Sequence, residues 1–306
     1  MSGLPVRARW LPTYIALAFA WGTIFAMSKV ALGSFTPIGV TAGRLILATT
    51  FLLVVSLITK TKLPPRRLWR PVFINAFVVA TLPWFLLTGA LGKISYSLTS
   101  ILASAIPLFT LLIILVAFPE EKPTRQRIVG LCLGFVGVLV VVGVWEGIGG
   151  ATFVGMAMCL VANFAWASSF PYSRRHLTGG PHASDLSPLS LATGTLIMAS
   201  IQGLPLAFFF PLTSGPITMS AVTALVILGC ACSGGGYLLS FRLLSLADAT
   251  TASTISYAVP TVALSIGVIF LHEHLTWNEP VGALLILGGA ALAQGLIRVR
   301  SREPDV

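Results

Sequence analysis

The chain has 306 residues, 56% of them hydrophobic and 9% charged, whereas a soluble domain carries roughly 25% charge. Its 19 Lys and Arg and 9 Asp and Glu cannot coat a globule of this size, so an ordinary cytosolic protein is excluded and most of the outer surface must meet lipid. The net charge of +10 would suit nucleic acid in a soluble chain. Polytopic membrane proteins, however, gather Lys and Arg in their cytoplasmic loops, so no nucleic-acid partner is expected.

A membrane-crossing helix needs about 20 mostly apolar residues, and uncharged intervals of that length recur along the chain. They predict helices over 13–31, 38–58, 71–91, 95–118, 125–144, 151–173, 187–210, 217–241, 249–271 and 278–297. The 56 uncharged residues between Asp185 and Arg242 are too many for one crossing, and Pro211, Gly215 and Pro216 divide them. Ala18-Phe19-Ala20 resembles a signal cleavage site, but the first segment has a partner later in the chain and is read as a helix of the mature protein. With both termini cytoplasmic, 16 of the 19 Lys and Arg fall inside, and Lys29 and Lys93 fall outside. This bias sets the expected orientation in a bacterial inner membrane.

The sequence repeats internally. FAWGTIFAMSK from Phe19 returns as FAWASSFPYSR from Phe164, a spacing of 145. Pro37 with Leu45-Ile46 returns as Pro188 with Leu196-Ile197 at 151, and Pro107 and Glu120 return as Pro260 and Glu273 at 153. Residues 13–145 and 146–297 therefore read as two copies of one five-helix unit, with cytoplasmic tails at 1–12 and 298–306. An odd helix number per copy turns the second copy upside down, the arrangement used for alternating access. The expected fold class is an all-α integral membrane protein of ten transmembrane helices in two inverted five-helix repeats.

Ala20-Trp21-Gly22 and Ala165-Trp166-Ala167 in the first helix of each copy, a Pro in each fourth helix with a Glu after it, and a Gly-rich fifth helix together resemble the drug/metabolite transporter superfamily with paired EamA-type domains. The resemblance covers nearly the whole chain, with Ala167 departing from Gly22. It implies a carrier of small metabolites, and the size is similar to amino-acid exporters, including the YddG-like exporters of aromatic amino acids. It also implies a site between the two halves, lined by the first, third, fourth, sixth, eighth and ninth helices.

Ser97, Ser100, Ser104 and Pro107 follow helical spacing, and at an offset of 153 become Thr250, Ser253, Tyr257 and Pro260. Each stripe ends in a proline that frees the carbonyl four residues back, that of Ala103 or Ser256, so Pro107 and Pro260 are candidate kinks. These ridges either face a central path and bind a polar substrate, or let helices approach closely. Trp21 and Trp166 lie mid-span, where tryptophan is unusual; they stack on substrate or fill the core. Asn163, Trp84 and Tyr237 complete the candidate substrate-binding set with Ser100, Ser104, Ser253 and Tyr257. Arg44, the one charge placed well inside a span rather than near a helix end, either snorkels outward or attracts a carboxylate.

The glycines of the fifth, eighth and tenth helices suit close packing, with a hinge as the other reading for Gly234–Gly236. The four cysteines lie in apolar stretches and are expected to be buried. His272-Glu273-His274 lacks further ligands, so no metal is expected. Glu120, Glu273 and a Thr276–Glu279 capping box suit helix ends. All nine acidic residues lie in loops, tails or helix ends, which argues against a carboxylate-switched antiporter. No phosphate loop, haem-ligand pair or intramembrane catalytic set occurs, so neither cofactor nor enzymatic activity is expected. The reading is a facilitator or exchanger that exports amino acids, with the lipid bilayer and a small-molecule substrate as partners. A carrier of sugars, sugar phosphates or nucleotide sugars is the alternative.

Overall fold

The computed structural model describes residues 10–117, 124–142, 150–178, 186–246, 255–270 and 276–293; among them there is no strand. Among the described residues six helices are long and apolar enough to cross a membrane, namely Leu11–Ala31, Pro37–Ile58, Arg66–Leu91, Thr152–Leu177, Pro188–Phe208 and Met219–Ser240. Shorter apolar helices cover Leu98–Thr110 and Ile128–Val141. Large apolar side chains point outward, including Leu57 and Ile58 at 76% exposure and Phe208 at 88%, a surface suited to lipid rather than water. Cys159 and Cys232 are buried and Cys230 is half-buried, but Cys132 is exposed, contrary to the expectation of four buried thiols. It shares an outward face with exposed Val129 and Val136, three and four residues away.

The long helices are jointed where the sequence removes or diverts backbone hydrogen bonds. α1 (Leu11–Gly22) and α2 (Ile24–Ala31) meet at Thr23, whose hydroxyl donates to the Phe19 carbonyl at 2.6 Å, a back-bond that bends helices. α3 spans Pro37–Ile58. α4 (Trp69–Ala76) joins α5 (Leu82–Leu91) through a π turn at Phe77–Thr81, just before Pro83, which has no N–H to give. α6 (Tyr96–Ala103) and α7 (Ile106–Ala117) are separated at Ser104-Ala105. There Ser104 and Ala105 donate to the Ile101 and Leu102 carbonyls in tight three-residue turns.

α8 (Arg125–Val142) and α9 (Gly150–Ser173) follow, then α10 (Pro188–Gly203). α11 (Met219–Val226) and α12 (Gly236–Leu246) are linked by a nine-residue π segment, Ile227–Gly235. α13 (Ile255–Phe270) runs unbroken through Pro260, and α14 (Asn278–Ala293) ends the described residues. The Glu279 amide donates to the Thr276 carbonyl at the start of α14. Glu120 and His272-Glu273-His274 lie outside the described residues.

Local structure repeats along with the sequence. Thr36 caps α3 by accepting from the Gly39 amide, and Ser187, 151 residues later, caps α10 by accepting from the Ser190 amide; each is followed by proline at the first helical position. The π turn at 77–81, shifted by 153, falls at 230–234, inside the second π segment.

Equivalent residues also meet one another. At an offset of 152, Gly130 corresponds to Gly282 and Gly137 to Gly289. A methyl on Gly137 would sit 2.8 Å from the Gly282 carbonyl oxygen, and one on Gly289 would sit 2.5 Å from that of Gly130. Residue i thus meets the counterpart of j, and j the counterpart of i, the reciprocity of a two-fold contact. The same crossed order makes α8 and α14 antiparallel, with backbones too close for a side chain between them.

Gly137→Ala and Gly289→Ala should each lower stability by about 1–3 kcal/mol, the usual cost of overpacking. Gly288→Ala, where a methyl would meet nothing within 4 Å, should stay within about 0.5 kcal/mol of the parent. Unfolding in mixed detergent–SDS micelles checks this; equal effects at all three positions would mean that the two backbones are not in contact.

Candidate functional site

Trp21 on α1 and Trp166 on α9 meet edge to face, with ring centroids 6.0 Å apart and planes at 68°. They are equivalents at the offset of 145, and both are partly buried. Trp21 is seated by Gly236, the first residue of α12, where a methyl would come within 2.6 Å of the indole nitrogen. Trp166 packs against the core cluster that includes Leu102, Ala105, Cys159 and Ala162.

Below that pair the joint between α6 and α7 meets α9. Asn163 is fully buried, and its Nδ2 donates to the Leu102 carbonyl at 2.9 Å. The carbonyl captured across the interface is therefore that of Leu102, one residue before the Ala103 carbonyl that proline spacing predicts, because the chain tightens into three-residue turns before Pro107. Asn163 Oδ1 and the hydroxyl of Ser104 are buried with no partner among the described residues. Ser100 is buried as well. On the other ridge, Tyr257 and Pro260 lie on α13, while Thr250 and Ser253 lie outside the described residues.

A second group forms where α3, α5 and α12 converge. Trp84 and Tyr237, equivalents at the offset of 153, meet edge to face with centroids 6.0 Å apart. The Tyr237 hydroxyl donates to the Val79 carbonyl at 3.0 Å, inside the first π turn. Arg44 lies with its guanidinium carbon 3.7 Å from the Trp84 ring centroid. Its Nε donates to Ser233 Oγ at 2.6 Å, and Ser233, in the second π segment, donates in turn to the Leu228 carbonyl five residues back at 2.7 Å. Arg44 is 3% exposed, so it does not snorkel outward but turns into the bundle. Both π segments place a carbonyl where a side chain collects it, in keeping with the frequency of π turns at functional positions.

Sequence reasoning left Arg44 undecided and missed Ser233. α3 packs against the Ile227–Gly235 segment that holds Ser233, and no sequence offset signals that contact. Thr49 and Ser200, equivalents at 151, were also unmarked, yet their hydroxyls lie 2.8 Å apart. Small polar residues in apolar helices carry no pattern that singles out such a contact.

Asn163→Leu should cost about 0.6–2 kcal/mol through loss of the bond to Leu102. Ser104→Ala removes a hydroxyl with no partner and should be neutral or slightly stabilising. Melting in detergent distinguishes them, and a large loss at Ser104 would contradict the geometry described.

Residues 8–143 and 153–294 each match the EamA-like transporter family. An uncharacterized transporter of Archaeoglobus fulgidus is 27% identical over 92% of this chain and 96% of its own length. The uncharacterized transporter YoaV of Bacillus subtilis is 25% identical over 90% and 93%. A probable amino-acid metabolite efflux pump of Salmonella typhimurium is 25% identical over 66% of this chain and 69% of its own length. A solved crystal structure shares the fold with a TM-score of 0.67 at 20% identity, covering 94% of this chain and 98% of that one.

Proposed function

The chain belongs to the EamA-like transporter family; it is a membrane transporter and not an enzyme, and from that premise we propose that it exports amino acids, aromatic ones included, by alternating access. In this reading residues 13–145 and 146–297 are inverted five-helix halves making ten crossings of a bacterial inner membrane, with both termini cytoplasmic. The observation that carries the proposal is the meeting of equivalent residues from the two halves at Trp21 and Trp166. The antiparallel contact of α8 with α14 supports the inversion.

The chemistry of the surroundings favours a small amphipathic solute. The edge-to-face indoles offer an apolar, polarisable face to an aromatic or branched side chain. Ser104 and Asn163 Oδ1 hold unspent hydrogen-bonding capacity beside them, and a buried polar group without a partner is costly to keep, so a polar group of the solute is their natural complement. No Asp or Glu occurs in any of the six long spans, which favours facilitated flux or exchange over proton coupling. The Salmonella relative named a probable amino-acid metabolite efflux pump points to the same substrate class. A sugar-phosphate carrier would need several buried cations, and Arg44 is the one buried cationic side chain among the described residues.

Purified protein in proteoliposomes should take up labelled Phe, Trp, Leu and Thr, with rates indifferent to an imposed pH gradient. Trp21→Ala and Trp166→Ala should each raise the KM for Phe and Trp by about two- to tenfold, the worth of an aromatic contact, and change that for Thr less. Sugar-phosphate uptake without amino-acid uptake would replace this reading with the alternative carrier.

A further inference from the structure

Arg44 is a cation placed in a low-dielectric setting with most of its donors unused. A guanidinium offers five N–H donors and no acceptor. One of them is given to Ser233, and Ser233 accepts freely because its own proton goes to the Leu228 carbonyl. The two terminal nitrogens make no hydrogen bond among the described residues. The group lies over the Trp84 ring, its carbon 3.7 Å from the ring centroid, which stabilises the charge but satisfies none of its N–H groups.

The surroundings supply no counter-ion. The Trp84 Nε1–H is buried with no partner among the described residues, and the Tyr237 hydroxyl, whose proton goes to the Val79 carbonyl, is a neutral neighbour. The one carboxylate among the described residues is Glu279, on α14, which packs chiefly against α8. A buried charge with no counter-ion is among the most expensive features a membrane protein can carry.

Nor does the fold require a cation there. The equivalent of Arg44 at the offset of 151 is Thr195, equally buried, so the same helix position is filled in the other half by a neutral residue. The equivalent of Ser233 at 153 is Ala80. Guanidinium and hydroxyl are thus matched additions to one of two like positions, each on a different half.

We propose that Arg44, with the indole N–H of Trp84 as a second donor, is the anion-binding centre of this transporter and holds the carboxylate of the transported solute. This rests on the amino-acid reading above for the identity of the solute, but not for the existence of the site. A carboxylate is an acceptor-only group that takes two parallel N–H bonds from an arginine, which is what the terminal nitrogens offer. Ser233 fixes the guanidinium from the opposite half, so a bound carboxylate reports to both halves at once.

The test compares phenylalanine with phenylalaninamide, which lacks the carboxylate, on the full-length protein in proteoliposomes and by equilibrium binding in detergent. The parent should prefer phenylalanine at least tenfold in both. Arg44→Gln should bring that ratio close to one, Arg44→Lys should retain part of it, and Trp84→Phe, which keeps the ring under the guanidinium but removes the N–H, should reduce it several-fold. An Arg44→Gln ratio equal to the parent's, or parallel loss of both ligands with a collapsed melting transition in Arg44→Gln and an unchanged ratio in Trp84→Phe, overturns the proposal. Inorganic phosphate and chloride form a separate arm. If no amino acid binds, yet phosphate or chloride raises the melting temperature of the parent and not of Arg44→Gln, the anion centre stands and the amino-acid reading falls. If no anion has an Arg44-dependent effect, the centre itself is wrong.

Discussion

Residues that occupy the same place in the two halves of this chain touch each other: Trp21 and Trp166, Thr49 and Ser200, Trp84 and Tyr237. A residue can meet its own counterpart only on the axis that relates the two copies, so these pairs mark a line through the molecule. The glycines of α8 and α14 obey the same relation one step off that line, in the crossed pattern of a two-fold contact. Close approach there depends on the absence of side chains, because lipid offers no hydrophobic drive to bring helices together and association relies on packing.

On a two-fold frame, chemistry enters where the copies differ. Asn163 bonds to Leu102 across one interface; the equivalents of this pair, Ala18 at 145 and Ile255 at 153, lie together in a wholly apolar cluster. Ser104 has Tyr257 as its counterpart, Arg44 has Thr195, and Ser233 has Ala80. Burying a polar group costs free energy unless it is satisfied, so a structure built only for stability would keep the apolar version at both places. The amide of Asn163, the guanidinium of Arg44 and the hydroxyl of Ser233 each appear once, with Ala18, Thr195 and Ala80 as counterparts.

How much of this was legible beforehand follows from which signals the sequence carries. Helix positions and the duplicated unit follow from charge-free intervals and fixed offsets, since lipid imposes length and composition directly. The helices Pro37–Ile58 and Pro188–Gly203 start within one residue of expectation because a cap and a proline mark each start. Trp21 and Trp166 stand out as mid-span indoles in a repeated motif. Arg44 was visible but not its direction, because snorkelling and burial differ by rotation about the helix axis, which a single helix in an apolar sequence does not fix. The π segments were invisible, since no residue pattern distinguishes a widened turn from an ordinary one. Without them the Ser233–Leu228 bond, and with it the seat of the guanidinium, cannot be placed.

Symmetry also sorts contacts by what happens to them if the halves exchange shapes, as alternating access requires. A contact between equivalents maps onto itself, so under such an exchange the indole pair, the Thr49–Ser200 bond and the Trp84–Tyr237 pair would be kept and would act as pivots. A contact between unlike positions maps onto a different pair. Arg44 with Ser233 becomes Thr195 with Ala80, and Asn163 with Leu102 becomes Ala18 with Ile255; under such an exchange the guanidinium and the amide would part from their partners as counterparts that lack those groups close. Separation would strand a guanidinium and an amide in a low-dielectric interior unless something else supplies acceptors and donors. A solute that carries both, with a carboxylate for Arg44 and a polar group for Asn163 and Ser104, lowers the cost of that step, whereas the empty protein bears it in full. On the proposed reading, the same asymmetry that would select the solute would also couple its presence to the motion.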